Sequence, residues 1–242
     1  MGGDVGTRPF HCQQFTIHQD RCAMKVGTDS LLLGSWVCTS EEQKILDIGS
    51  GSGLLALMMA QRTPFAEVVG VEIDEEAAEQ ARENVAASPW GDRVRIEIGA
   101  IQDRFLHYPD ELFDLIVCNP PFFVQGNGVS SPKRARQTAR HTIDLPHDTL
   151  LSIGRHLLAD NGRFALILPN TMKTSFLACG ARVGLYPQRL ARVRPFAHKE
   201  PNRFVVELVV GKRPCLAEEI VIRETPQQYT VQYRALTADF YL

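Results

Sequence analysis

Lys44-Ile-Leu-Asp-Ile-Gly-Ser-Gly-Ser-Gly53 is an apolar run that ends in alternating glycines and opens directly onto Leu54-Leu-Ala-Leu-Met-Met-Ala60. Its order of a short aliphatic run, a glycine turn and a longer apolar stretch reads as strand, turn and helix. Glycines at such a turn let backbone amides approach a ligand at the helix N-terminus. The spacing is Gly49-x-Gly51-x-Gly53 with Asp47 two residues ahead, whereas a pyrophosphate is cradled by Gly-x-Gly-x-x-Gly. A carboxylate at Asp47 repels a diphosphate and can accept from a ligand ammonium. Taken singly, Asp47 also fits a plain turn former.

Working outward, Glu67 to Ile73, Arg93 to Ile98, Phe113 to Cys118 and Arg163 to Leu168 are further near-continuous apolar runs, as strands covered on both faces should be. Helices are expected between them over 53–62, 75–87, 146–160 and 171–183. The second carries Ala77, Ala78, Ala81 and Val85 on one face, and the third opens on Pro146, which suits a first helical turn. Strand and helix alternating in this way imply a parallel sheet wound on both faces. Leu190 to Phe196 and Arg203 to Val210 break the pattern. Only Ala197-His-Lys-Glu-Pro-Asn202 joins them, too short for the dozen or more residues of a parallel crossover, so they must pair antiparallel. The expected fold is α/β and Rossmann-like: a seven-stranded, mostly parallel sheet with a C-terminal antiparallel hairpin and helices on both faces. Glu219 to Arg223 is a candidate edge strand. Upstream, Phe15 to Ile17 and Cys22 to Val26 are expected to pair as a hairpin around His18-Gln-Asp-Arg21, and Gly27-Thr28-Asp29 to start a packed helix over 30–37. No repeat or linker divides the chain, so residues 1–40 are expected as an N-terminal extension packed on a domain of residues 41–242.

Two more strand ends carry chemistry. Glu72 ends the second strand of the alternation and is placed to accept from both hydroxyls of a ribose, the role acids take there in nucleoside-binding folds; a solvated strand end is the plainer reading. A cofactor with a ribose and an amino-acid tail is S-adenosylmethionine. Asp114-Leu-Ile-Val-Cys-Asn-Pro-Pro-Phe122 runs an apolar strand into a doubled proline. Each proline fixes its own φ and pushes the residue before it toward extended geometry, which restrains Asn119 and Pro120. The Asn119 side-chain oxygen and the Pro120 carbonyl then form a two-acceptor platform for a planar amino group, with Pro121 stiffening it and Phe122 beside it. Alone, the tetrapeptide also fits a strand that ends in a Pro-Pro turn.

Bulk composition narrows the class. The chain has 242 residues, 44% hydrophobic and 22% charged, enough to bury one large core. No apolar run approaches the ~20 residues of a membrane span, and the first residues lack the basic and apolar regions of a signal peptide, so a cytoplasmic protein is expected. The six cysteines form no Cys-x-x-Cys pair and have no histidine at zinc spacing, so no metal is expected. Residues 1–120 carry 9 Lys+Arg against 19 Asp+Glu, and residues 121–242 carry 17 against 9. The basic half follows the platform. Residues 125–143 hold no acid, only Lys133, Arg134, Arg136, Arg140 and His141, and 161–199 hold none against seven Lys or Arg. A polyanion can approach from that side, although a merely solvated basic surface gives the same count.

Asp-x-Gly-x-Gly-x-Gly, an acid ending the next strand and Asn-Pro-Pro-Phe after the fourth resemble the class I S-adenosylmethionine-dependent methyltransferases that act on amino nitrogens. Asp20-Arg-Cys-Ala-Met-Lys-Val-Gly-Thr-Asp29, Ile45 to Leu57, Ala81-Arg-Glu-Asn-Val85, Ser88-Pro-Trp90 and Ala235-Leu-Thr-Ala-Asp-Phe-Tyr-Leu242 are similar to the bacterial tRNA(Val) adenine-37 N6-methyltransferases, over nearly the whole chain. The resemblance implies methyl transfer from S-adenosylmethionine, leaving S-adenosylhomocysteine, to N6 of an adenosine in the anticodon stem-loop of tRNA(Val), by a monomer without an obligate protein partner. It implies a cofactor site of Lys25, Gly27, Thr28, Asp29, Asp47, Gly49, Ser50, Gly51, Gly53, Glu72, Ile73, Ala100 and Asn119. It implies a catalytic platform of Asn119, Pro120, Pro121 and Phe122, and RNA contacts from Lys133, Arg134, Arg136, Arg140 and His141. One position departs from the pattern: Ala100 stands where many members carry an acid that contacts the cofactor adenine, so that a backbone amide or Asp103 takes that role. Guanine N2 methylation of ribosomal RNA and glutamine N5 methylation of release factors use the same platform. A nicotinamide-dependent dehydrogenase is disfavoured by the glycine spacing, and an RNA-binding module without turnover has no need of the two acceptors.

Overall fold

A computed structural model of the chain describes residues 8–107, 111–120 and 145–241. Pro121, Phe122, Lys133, Arg134, Arg136, Arg140 and His141 lie outside the described residues. The element order is β1 (Phe10–His11), β2 (Thr16–Ile17), α1 (Thr28–Trp36), β3 (Lys44–Ile48), α2 (Leu54–Arg62), β4 (Glu67–Glu72), α3 (Glu75–Ala86), β5 (Val94–Ile98), α4 (Ile101–His107), β6 (Phe113–Cys118), α5 (His147–Leu157), β7 (Leu158–Pro169), a 3-10 turn (Asn170–Met172), α6 (Lys173–Arg182), β8 (Leu185–Phe196), β9 (Arg203–Val210), β10 (Leu216–Thr225), β11 (Gln228–Tyr229) and α7 (Val231–Thr237).

One sheet organises these elements, in the order β11-β10-β8-β9-β7-β6-β3-β4-β5. β3 pairs parallel with β4 on one side and β6 on the other, and β4–β5 and β6–β7 are also parallel. β9 inserts between β7 and β8 and runs antiparallel to both. The expected seven strands are therefore present, with the short β8–β9 connection forcing the antiparallel step. Alternate residues feed two cores. Ile45, Leu115, Val117, Ala165 and Val205 pack under α1, α2 and α3 with Leu32, Leu57 and Ala78. Leu46, Ile48, Ile116, Leu166 and Val206 pack with Leu150, Leu151 and Phe176 of α5 and α6. That period of two, applied to strands apolar on both faces, is why helices cover both sides.

Four local expectations are corrected. The N-terminal hairpin pairs Phe10 with Ile17 and His11 with Thr16, not Phe15–Ile17 with Cys22–Val26. Residues 19–26 are instead closed by side chains: Lys25 Nζ donates to the carbonyls of Gln19 (2.5 Å) and Cys22 (3.1 Å), and Val26 N donates to Gln19 Oε1 (2.7 Å), which takes the polar groups a strand ladder needs. α4 and α7 are additional helices with no counterpart among the expected ones. β8 begins at Leu185, five residues before the expected start, because a bulge between Pro187 and Arg189 absorbs the proline. The candidate edge strand grows to Leu216–Thr225, pairs parallel with β8 and carries β11 outside it, so the sheet has nine strands.

The loop before α1 is held by α3 through two buried amides one turn apart. Gln80 Oε1 accepts from Arg21 N (2.9 Å) and its Nε2 donates to Asp20 Oδ1 (2.6 Å). Asn84 Oδ1 accepts from His18 N (2.9 Å), while its Nδ2 donates to His18 O (2.8 Å) and to Ser52 O (2.9 Å) in the glycine turn. Asn84 is 1% exposed, and its loss leaves three backbone groups, His18 N, His18 O and Ser52 O, without their partner. Asn84→Ala is expected to lower stability by about 2–4 kcal/mol, read as a fall in thermal midpoint of roughly 5–15 °C; a shift of about a degree or less would mean that the three bonds contribute nothing net.

Candidate active site

The turn after β3 places Gly49, Gly51 and Gly53 at φ of 74°, 53° and 82°, a region that penalises any residue with a Cβ. The three differ in surroundings. A Cβ on Gly53 would stand 3.3 Å from that of Ala81, while one on Gly49 or Gly51 would meet nothing within 4 Å. Gly53 thus brings α2 close to α3, and Gly49 and Gly51 border open space at the strand ends. The turn is fastened to the neighbouring strand, with Gly49 N and Ser50 N donating to Val71 O at 2.9 and 3.1 Å. Glu72 completes the fastening: Oε2 accepts from Gly51 N (2.7 Å) and Oε1 from Asp74 N (2.9 Å). Each carboxylate oxygen has two acceptor sites, so one amide on each leaves capacity for a ligand hydroxyl.

Asp47 lies beneath the turn at 0% exposure. Its Oδ2 accepts from Ala56 N in the first turn of α2 (3.1 Å), and its Oδ1 has no partner. Burial, and secondarily Glu72, pushes the Asp47 carboxyl up to about 8. Cys118 is also buried, and its thiol is raised well above its ordinary value by burial first and then by Asp47 and Glu72. It stays protonated and offers no nucleophile.

Asn119 leaves β6 on the other side of β3. Its Nδ2 donates to Ser30 Oγ in the first turn of α1 (2.8 Å), and its Oδ1 is buried without a partner. The amide is thereby turned so that its acceptor remains unspent. Ser30 is a site residue that the sequence does not single out; its one signal is a place directly after Thr28-Asp29. Three polar atoms of the expected site, Asp47 Oδ1, Ser50 Oγ and Asn119 Oδ1, are buried with no partner. Orphaned polar groups cost free energy unless something meets them, and a cofactor with an ammonium, a carboxylate and hydroxyls beside an amine-bearing substrate has both donors and acceptors to do so.

The remaining expected residues divide. Ile73 is 38% exposed beside Glu72, and Ile98, absent from the expected set, is 40% exposed on the paired strand end; together they offer an apolar surface of the kind an adenine ring takes. The Ala100 carbonyl accepts from Asp103 N and Arg104 N, both at 3.1 Å, and so starts α4. Lys25 turns its ammonium into its own loop, as described above. Gly27 forms the start of α1, Thr28 is exposed, and Asp29 pairs with Arg203 of β9 at 2.9 Å. No group of three or more His, Cys, Asp or Glu able to hold a metal occurs among the described residues.

The raised Asp47 carboxyl has a measurable consequence. Its folded pKa lies above the ordinary value near 4, so the folded chain holds the proton longer than the unfolded chain; the linked stability is complete below about pH 4 and is lost as pH rises through about 8. The thermal midpoint of the ligand-free wild type is expected to fall from about pH 5 to about pH 8 relative to that of Asp47→Asn, which keeps an acceptor for Ala56. A difference between the two that stays constant over that range would exclude the shift.

Residues 21–176 match the family described as the methyltransferase small domain. Relatives with the name tRNA1(Val) (adenine(37)-N6)-methyltransferase include one from Aeromonas hydrophila, 45% identical over 100% of this chain and 99% of its own. Another from Trichodesmium erythraeum is 43% identical over 98% and 99%, and one from Bacteroides thetaiotaomicron is 40% identical over 96% and 97%. Among solved structures, a predicted O-methyltransferase from Agrobacterium tumefaciens superposes with a TM-score of 0.68 at 20% identity, covering 88% of this chain and 96% of its own; it bears on the fold alone. The match over residues 21–176 and this identity from end to end mean that the chain belongs to the methyltransferase small domain family and, within it, to the tRNA1(Val) (adenine(37)-N6)-methyltransferase family.

Proposed function

We propose that this chain transfers a methyl group from S-adenosylmethionine to N6 of adenosine 37 in tRNA(Val). The observation that carries the reading is the Asn119 amide, fixed by Ser30 with its oxygen unpartnered across β3 from the glycine turn, in a chain 40–45% identical to enzymes with that name. The exocyclic nitrogen of adenine is a weak nucleophile because its lone pair is delocalised into the ring. A site in which Asn119 Oδ1 and the Pro120 carbonyl each accept one hydrogen from the amino group holds the nitrogen in line and favours the tetrahedral geometry of attack. S-adenosylmethionine supplies an electrophilic sulfonium methyl when bound. Asp47, Gly49, Ser50, Gly51 and Gly53 are assigned to its amino-acid end, Glu72 to its ribose, and Ile73 with Ala100 to its adenine. Phe122 is assigned to stack on the target base, which must leave the anticodon loop to react, with Pro121 stiffening its approach.

Lys133, Arg134, Arg136, Arg140 and His141 are assigned to loop phosphates of the anticodon stem-loop. A monomer of an N-terminal extension over 1–40 on a domain over 41–242, working in the cytoplasm, completes the proposal; no helix among the described residues is long and apolar enough to cross a membrane.

Purified protein with labelled S-adenosylmethionine is expected to label unmodified tRNA(Val) and release N6-methyladenosine on digestion. Recovery of 2-methylguanosine instead would move the assignment to guanine N2. Asn119→Ala is expected to lower kcat by about a hundredfold or more with cofactor affinity within a few-fold, and a parallel loss of cofactor binding would remove Asn119 from its assigned role. Arg134→Ala with Arg136→Ala is expected to weaken tRNA binding and to flatten the slope of its salt dependence by about one for each phosphate no longer neutralised; an unaltered salt slope would make those arginines bystanders.

A further inference from the structure

A cleft of about 530 Å³ opens where the first turn of α1 meets the β8–β9 connection and the end of β10, lined by Asp29, Phe196, Asn202, Arg203, Ile222 and Arg223 among others. That volume falls within the roughly 300–1,000 Å³ range of small-molecule sites, and of its lining residues only Thr28 and Asp29 stand in the expected cofactor site. We propose that this cleft is a second nucleotide subsite, holding a nucleotide that flanks the target adenosine in the substrate RNA. The proposal rests on the tRNA reading and extends it.

Position in the sheet decides what kind of ligand reaches the cleft. The residues assigned to the cofactor stand at the ends of β3, β4 and β5, on one side of β6. The cleft stands at the ends of β8, β9 and β10, on the other. Asn119 lies between them, and α1 joins the two: Ser30 bonds Asn119 while Thr28 and Asp29 line the cleft. The same junction is closed from β7, where Pro169 pairs with Arg203 and Asn170 N donates to Asn202 O (3.0 Å). With β8 three strand positions from β6, the cleft is roughly 14 Å along the sheet from the platform. A molecule that reacts at Asn119 and also fills the cleft is an extended substrate, with the cofactor on the opposite side.

The lining has the chemistry of a nucleotide site. Phe196 lines the cleft and is stacked with His198, ring centroids 5.6 Å apart at 26°. Single-stranded RNA is bound by stacking its bases on aromatic rings and guanidinium planes. Arg223 lies over the Tyr229 ring at 4.2 Å, with Nη1 donating to Pro226 O (2.7 Å) and Nη2 to Tyr229 Oη (3.0 Å). Arg203 is held by Asp29 Oδ2 (2.9 Å) and Asn202 O (3.1 Å). Both guanidinium planes are thus fixed before any ligand arrives, which lowers the ordering cost of binding. A guanidinium plane can also take a base face or a phosphate oxygen, and Asp29 and Asn202 offer acceptors to a base edge.

The test uses the full chain and a hairpin RNA that carries the target adenosine, with the bases on either side of it removed one position at a time. For the wild type, one abasic position is expected to weaken RNA binding about tenfold. Phe196→Ala should weaken binding to the intact hairpin by about as much, and the variant should lose nothing further at that position. Phe196→Trp, which keeps a stacking face, should restore binding, and affinity for S-adenosylmethionine should be unchanged throughout. Losses that add independently at every position, or no restoration by tryptophan, overturn the subsite. Loss of S-adenosylmethionine affinity in Phe196→Ala identifies the occupant as the cofactor and also overturns it. A wild-type chain that binds the cofactor yet leaves the hairpin and whole tRNA unmethylated sinks the functional reading as well, which separates the two failures.

Discussion

β3 is paired in parallel on both edges, with β4 to one side and β6 to the other. Successive strands run outward from it to β4 and β5, and the chain then returns to lay β6 against its opposite edge. Connections on the two sides must therefore diverge at the carboxyl end of β3, which opens a crevice at that point. The glycine turn leaves from one wall of the crevice and Asn119 from the other. A central strand with both ladders satisfied is a stiff base for the glycine turn and, across it, for Asn119.

The walls of that crevice are held by side chains acting across long stretches of sequence. Glu72 grips the amide of Gly51, Asn84 grips Ser52 and His18, and Ser30 grips Asn119. Each of these bonds satisfies a polar group at the edge of a buried region, where leaving it unpaired costs more than the bond itself returns. Of the ten buried side-chain polar atoms without a hydrogen-bond partner among the described residues, three, Asp47 Oδ1, Ser50 Oγ and Asn119 Oδ1, belong to the expected site. Preorganised sites keep such unspent polar atoms where a ligand is to meet them.

Much of this is readable along the chain. The strands from Lys44, Glu67 and Phe113 are apolar on both faces, and six residues between Phe196 and Arg203 leave no room for anything but an antiparallel return. The N-terminal segment misleads because Cys22 to Val26 alternates like a strand, yet Lys25 and Gln19 satisfy the local backbone by themselves. Pro187 has the look of a strand boundary and lies inside β8 at a bulge. Lys25 and Asp29 resemble cofactor neighbours by motif, and their contacts with the Cys22 carbonyl and Arg203 are partners that the motif does not announce.

What the amino-acid order determined by itself is the alternation of strand and helix, the glycine turn after β3, and a stiff Asn-Pro step after β6, because each follows from rules that act over a few neighbouring residues: side-chain period, left-handed φ and the fixed φ of proline. What only the tertiary structure decided is which way the Asn119 amide faces, that Asp47 is sealed from water, and that Phe196, Arg203 and Arg223 share a cleft with Asp29. Those depend on partners as far apart as 89 and 174 residues, brought together by the closing of the sheet, and no local pattern encodes the free energy of contacts that exist only once the chain has folded.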